Sequence, residues 1–267
     1  MENKKRVLVK APEKTIESQR KQKSFFGSFR NMSLPVLLTI GILLCGTIAL
    51  FTTIGVVAHN QNIRASQIEY EALQNHRNSN TGFEVGHGRY EVGYLSAFDV
   101  EMITINPDFE FWLRIDGTSI DYPVVRGHDN AVYLNTSFRG ETSKAGTLFT
   151  DFRNEGLLSP HLIIYGHNLQ QGGMFSDLRH FLNNEFLEEH KYITVVLNDE
   201  EITFEIFSAR LTDIEDPAYN LHLSSARLLS RWLNRINAPL AATQVITLST
   251  CTRGGSDDER IIVQGWR

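Results

Sequence analysis

A mainly β body with a few peripheral helices, preceded by a single transmembrane helix, is the fold class predicted by this sequence. Three observations predict it. An uncharged apolar run lies near the N-terminus, short β-prone runs alternate with turn signals from about residue 81, and the chain closes on two β-prone runs around a polar, glycine-containing loop.

Charge patterning sets the topology. Of 267 residues, 26 are Lys or Arg and 31 are Asp or Glu, a formal net charge of −5 that leaves no electrostatic footprint for nucleic acid. Residues 1–32 nevertheless carry Lys4, Lys5, Arg6, Lys10, Lys14, Arg20, Lys21, Lys23 and Arg30 against only Glu2, Glu13 and Glu17. Leu34–Ala58 is then a run of 25 residues without a charge, longer than the roughly 20 apolar residues that cross a hydrocarbon core. A cleavable signal peptide would have a shorter apolar region, and no small-residue cleavage site follows Ala58. The basic flank places the N-terminus in the cytoplasm and the remainder outside. The chain therefore divides into a cytoplasmic basic tail (1–32), a transmembrane anchor (33–58), a stalk helix (59–80) and an extracellular body (81–267).

Ile63, Ile68, Tyr70 and Leu73 form a rough apolar stripe among polar residues, which predicts a stalk helix that packs on the body; a disordered linker is the alternative. In the body, Phe111–Ile115, Asp116-Gly117 and Thr118–Val125 read as a hairpin with an Asp-Gly turn. Gly146–Thr150, His161–Tyr165, Tyr192–Leu197 and Glu201–Phe207 are further strands, the last two joined by a turn at Asn198-Asp199-Glu200. Helical spacing occurs over Met174–Leu182 and again over Ala226–Asn237, where Ser224 or Ser225 suits the N-cap.

Of the two cysteines, Cys45 falls inside the apolar span, so Cys251 is a lone thiol outside it. It ends the β-prone run Ile246–Cys251, and Arg260 opens the next, Ile261–Trp266. A hairpin would set a guanidinium beside the thiol and favour the nucleophilic thiolate. By period two, Thr247, Ser249 and Cys251 share one face, and Arg260, Ile262, Gln264 and Trp266 another. The bland alternatives are a buried structural cysteine and a surface arginine. Among nine histidines, His167 alone follows an apolar strand by one glycine, at the mouth where catalytic groups tend to sit; a turn histidine is its ordinary reading. No metal-ligand spacing and no phosphate-cradling glycine loop occur in the sequence, so no metal or other cofactor is expected.

These segments resemble the sortases, class B in particular. Thr247–Cys251 is similar to the family's cysteine motif, with Arg260 where its arginine is expected, and Tyr165-Gly166-His167-Asn168 followed by Gly173–Leu178 is similar to the class B histidine segment. Ile105–Asp108, Asp116–Val125, Asp129-Asn130 and Gly146–Phe149 carry the likeness further; Thr252-Arg253 departs from the usual residues after the cysteine. The resemblance implies a closed eight-stranded barrel, an N-terminal helix and a helix before the cysteine strand. It also implies a Gram-positive cysteine transpeptidase in which Cys251 attacks a Thr carbonyl of a C-terminal sorting signal. His167 would transfer protons and Arg260 would hold the carbonyl or its oxyanion; from the strand period rather than the resemblance, Ser249 would flank the thiol as a substrate-binding residue. The implied partners are surface proteins bearing that signal, a peptidoglycan-precursor cross-bridge amine and the membrane, with wall anchoring and pilus assembly both open. A hydrolytic cysteine peptidase is the rival enzyme, although papain-like chains place the cysteine before the histidine. An inert anchored module is the rival non-enzyme.

Overall fold

The computed structural model describes residues 33–80, 95–252 and 258–267; the basic tail, the start of the body and most of the loop between Cys251 and Arg260 lie outside these. Helix α1 runs over Leu34–Asn80. Among the described residues it is the one helix long and apolar enough to cross a membrane, and its side chains from Leu34 to Val57 are largely uncovered by protein. The chain forms two units, the first ending at Ala58 and the second beginning at His59.

Within the second unit the stalk segment is an integral part of the body. Ile63, Ser66, Tyr70, Leu73 and Arg77 are buried, spaced three and four apart as one helix face requires. The stripe differs from the expected one at Ile68, which is 67% exposed, because Ser66 and Arg77 complete the inner face instead. Both polar residues are satisfied: Ser66 Oγ lies 2.6 Å from Ser143 Oγ, and Arg77 reaches Asp121 at 3.3 Å. Tyr70 donates to the Gly146 carbonyl at 2.7 Å, and Gln74 to that of Asp121 at 2.7 Å.

The body is a closed eight-stranded barrel. Its strands are β1 (Phe109–Arg114), β2 (Asp121–Val125), β3 (Leu148–Thr150), β4 (His161–Tyr165), β5 (Tyr192–Leu197), β6 (Glu200–Asp213), β7 (Val245–Cys251) and β8 (Glu259–Trp266), in the order β1-β2-β3-β4-β7-β8-β6-β5. Pairs β2/β3 and β4/β7 are parallel and all other neighbours antiparallel. Both expected hairpins form. Gly117 takes φ +80° in the β1–β2 turn, and Asn198 and Asp199 take φ 56° and 61° between β5 and β6, as a two-residue hairpin turn demands. Strand β6 continues to Asp213, beyond the expected Phe207, because β8 supplies hydrogen bonds to its polar second half across a bulge at Ile206/Ser208.

Alternation fills the interior. Phe111, Leu113, Leu162, Ile164, Ile193, Val195, Phe204, Ile246, Leu248, Ile261 and Val263 belong to one buried core. Helices α2 (Ala97–Ile105), α3 (Asn184–Glu189) and α4 (Ala226–Arg235) sit outside it. The Asp99 amide donates to Ser96 at the start of α2, and the Leu228 amide to Ser225 at the start of α4. Helix α4 lies in the connection between β6 and β7, where Trp232, Leu233 and Ile236 form a second, smaller apolar cluster with Val245. The helical pattern from Met174 folds instead as a 3-10 turn over Ser176–Leu182.

Trp112 is fully buried, donates Nε1–H to Asp121 at 2.6 Å and lies under the Arg77 guanidinium, 5.4 Å from the ring centroid. Trp112→Ala is expected to lower the unfolding free energy by about 3–5 kcal/mol through lost contacts and the residual cavity. A denaturant titration measures this as a fall in midpoint.

Candidate active site

Pairing of β7 with β8 puts Cys251 directly opposite Arg260, with Ser249 opposite Ile262 and Thr247 opposite Gln264. The inward residues of the two strands fill the barrel core, so the Cys251–Arg260 face points out of it, toward the β6–β7 connection. Cys251 itself is exposed at the strand end.

The histidine arrives by a different route. Strands β4 and β7 run parallel with Tyr165 beside Ser249, so two further residues bring His167 and Cys251 off the same end of the sheet. Three hydrogen bonds lace the chains there. The Gly166 amide donates to the Ser249 carbonyl at 3.2 Å, Thr250 Oγ1 to the Gly166 carbonyl at 2.7 Å, and Asn168 Nδ2 to the Cys251 carbonyl at 3.0 Å. A Cβ on Gly166 would approach Leu148 Cδ2 to 2.4 Å and Phe175 Cδ2 to 2.8 Å, so a larger residue here would have to push two core side chains aside.

His167 Nε2–H donates to the Leu134 carbonyl at 2.7 Å, which fixes the ring and leaves Nδ1 as the proton-accepting nitrogen of the neutral form. That carbonyl rests on Gly146, which sits at φ +62°, where a Cβ would meet the Tyr133 and Leu134 oxygens at 2.6 and 2.8 Å and His167 Cδ2 at 3.2 Å. Gly146→Ala is therefore expected to displace the imidazole and lower kcat by about 10–100-fold, since a shift near 1 Å can cost that much. Steady-state kinetics on a folded variant reads the loss.

His167, Ser249, Cys251 and Arg260 line one cleft of ≈ 420 Å³, together with Asn130, Leu134, Phe149, Arg153, Tyr165, Ile214 and Tyr219. Ser249 is buried, and its hydroxyl lies 2.8 Å from that of Tyr219. Burial raises the Tyr219 pKa, so this phenol stays neutral beside the thiol. Fully buried Asp151 holds three of these lining residues: it accepts two bonds from the Arg153 guanidinium, at 2.8 and 2.7 Å, with Asn130 and Tyr165 at 3.1 and 3.0 Å. Burial pushes this carboxyl up, but the hydrogen bonds from Arg153 and Asn130 outweigh it and hold its pKa below the ordinary range. Burial and the Asp151 charge raise the Tyr165 phenol, which stays neutral and donates. Sequence reasoning gave no sign of Tyr219 or Arg153, and of Asn130 only as part of the class B-like segments; the three come from separate loops, and the Asp216-Pro217 turn before Tyr219 is that residue's nearest local signal.

Behind the cysteine strand lies His161, 1% exposed, its ring centroid 4.4 Å from that of Trp232 with the planes tilted by 40°. Its Nδ1–H donates to the Asn220 carbonyl at 2.9 Å, and Thr247 Oγ1–H donates to Nε2 at 2.8 Å. Thr247 in turn accepts from Gln264 at 3.0 Å. Burial lowers the His161 pKa to about 4 from 6.5. The unfolded state thus binds more protons than the native one between those values, so native stability falls as pH drops from about 6.5 toward 4, by an upper estimate of about 3 kcal/mol. Denaturant midpoints across this window should show that fall, and His161→Gln should flatten it.

The sortase-domain family matches residues 113–267. Sortase B of Listeria monocytogenes is 33% identical over 178 residues, covering 60% of this chain and 70% of the relative. Among solved structures, a Staphylococcus aureus sortase B–substrate complex superposes with TM-score 0.66 at 27% identity, covering 76% of this chain and 96% of that one. A sortase B complexed with triglycine gives TM-score 0.65 at 28% identity, covering 76% and 97%.

Proposed function

Because this chain belongs to the sortase family, as a class B cysteine transpeptidase acting on surface proteins that bear sorting signals, we propose that His167, Cys251 and Arg260 carry its reaction. A single N-terminal helix spans the membrane and the bulk of the chain is extracellular. The observation that carries the site proposal is the joint register of two strand pairs: Cys251 opposite Arg260 across β7/β8, and Tyr165 beside Ser249 across β4/β7.

In this reading the Cys251 thiolate attacks the carbonyl carbon of Thr in the sorting signal. The Arg260 fork donates to the oxyanion as it develops. The C–N bond then breaks, and the departing amine takes its proton from His167, leaving a thioester on Cys251. An incoming amine gives a proton to His167 Nδ1 and attacks the thioester; the thiolate leaves as a new amide forms. Ser249 acts within the substrate cleft through Tyr219, whose hydroxyl it fixes. The amine is that of a peptidoglycan-precursor cross-bridge, a reading supported by the sortase B structure complexed with triglycine. The same reading divides the chain at 1–32, 33–58, 59–80 and 81–267, the last being catalytic. The buried stripe over 63–77 supports the stalk as a structural part of the catalytic body.

Quenched sorting-signal peptides, with and without oligoglycine, test the proposal on the full-length chain. The expected result is an acyl adduct on Cys251 that the amine diverts to a ligated peptide. Hydrolysed acid alone, whatever amine is supplied, would replace transpeptidation by peptidase action. Transfer of one sorting-signal protein onto a lysine of another would instead support pilus assembly.

A further inference from the structure

Helix α4 presents an unusual charge arrangement. Nine of the 26 basic and three of the 31 acidic residues lie in residues 1–32, so 17 basic residues stand against 28 acidic ones in the rest. Within that acidic remainder, the sequence holds no Asp or Glu between Asp216 and Asp257. This stretch includes α4, where Arg227, Arg231 and Arg235 recur every four residues, about 6 Å apart along one face. All three are exposed, and among the described residues none has an ion-pair partner.

Helix stability does not explain the arrangement. Like charges four apart repel, and Arg227 sits in the first turn, at the positive end of the helix dipole. Nor is the face flat. Arg231 and Arg235 rim a cleft of ≈ 140 Å³ whose lining is Pro217, Leu228 and Trp232 as well as Asn220 and His222, and Arg235 also lines a second of ≈ 300 Å³ with Arg210 and Asp216. Asp216 is already engaged by Arg210 at 2.9 Å, so it leaves Arg235 uncompensated.

We infer that this arginine row is a binding surface for a linear phosphodiester polymer on the outer side of the membrane. Forked guanidinium donors match phosphate oxygens, and a row of them at helical-turn spacing matches successive phosphates along one strand. The outward face otherwise offers Ser230, Asn234 and one exposed apolar residue, Leu228, with no exposed aromatic residue, and Trp232 is buried beneath; a single leucine is too little apolar area to seat a helix in a bilayer surface, so the face fits a polar strand better. The surface is separate from the catalytic residues, and its occupancy does not depend on their roles.

The test uses the full-length chain in phosphatidylcholine vesicles, with fluorescent poly(glycerol phosphate) added outside. The triple variant Arg227→Gln, Arg231→Gln, Arg235→Gln should bind about 30-fold more weakly, and its log K against log salt slope should be smaller by about 2, while peptide cleavage is unchanged. Arg231→Gln alone should weaken binding about threefold and carries the test if the triple variant fails to fold. A control triple, Arg64→Gln, Arg139→Gln and Lys144→Gln, makes the same change in net charge and should alter binding less than twofold. Equal losses in the two triples would reduce the effect to the general field and overturn the inference. So would equal affinity for glycerol 3-phosphate, or loss of binding to phosphatidylglycerol vesicles with polymer affinity intact.

Discussion

Cys251→Ala is expected to eliminate the acyl adduct and lower turnover by about 10⁴-fold or more, the scale on which loss of a nucleophile acts when catalytic groups work as a unit. The side chain is exposed at the end of β7 and packs in neither apolar cluster, so the denaturant midpoint should hardly change. Intact-mass spectrometry after incubation with a sorting-signal peptide is the direct check. A peptide adduct on the Ala variant would place the nucleophile elsewhere.

Arg260→Lys ranks second. Lysine keeps the charge but not the fork, and loss of an oxyanion donor lowers kcat by about 10²–10³-fold. Arg260 also donates to the Glu259 carbonyl at 3.0 Å, which fixes the side chain at its own strand end. The expected signature is a fall in kcat with KM little changed, because the interaction strengthens as the oxyanion forms. A rise in KM with kcat preserved would make Arg260 a ground-state binding group instead. Normal turnover would remove it from the mechanism.

Local chemistry made much of this legible. The hairpins at Gly117 and at Asn198-Asp199 follow from turn residues that tolerate positive φ, and the β7/β8 face follows from period-two alternation. Long-range pairing was not legible: nothing near His161–Tyr165 specifies a parallel neighbour in Val245–Cys251, because that choice is made by tertiary burial on both faces. The same limit hid the site's loop residues. Arg153 and Tyr219 meet Asn130, itself part of the class B-like segments, only because the barrel gathers three connections at one rim, and the Leu134 carbonyl that holds His167 is a backbone atom with no residue-type signature. Ile68 misled for a simpler reason, since an apolar side chain on a helix was counted inward where Ser66 and Arg77, each with a partner on the body, occupy that face. Helix α2 went unpredicted, its one local signal being the Ser96 cap at its start.

The parallel β4/β7 pair has a consequence for how the molecule matures. Asn168 and Cys251 are 83 residues apart in sequence, and the contacts that bring thiol and imidazole together are among the least local in the fold. Such contacts form slowly, after loop-closure entropy has been overcome, on a millisecond-to-second scale. Threaded outward from the anchor onward, the chain delivers His167 well before Cys251, and β8 must follow before β7 is flanked on both sides. Until the barrel closes, the proposed nucleophile therefore lacks its proposed base.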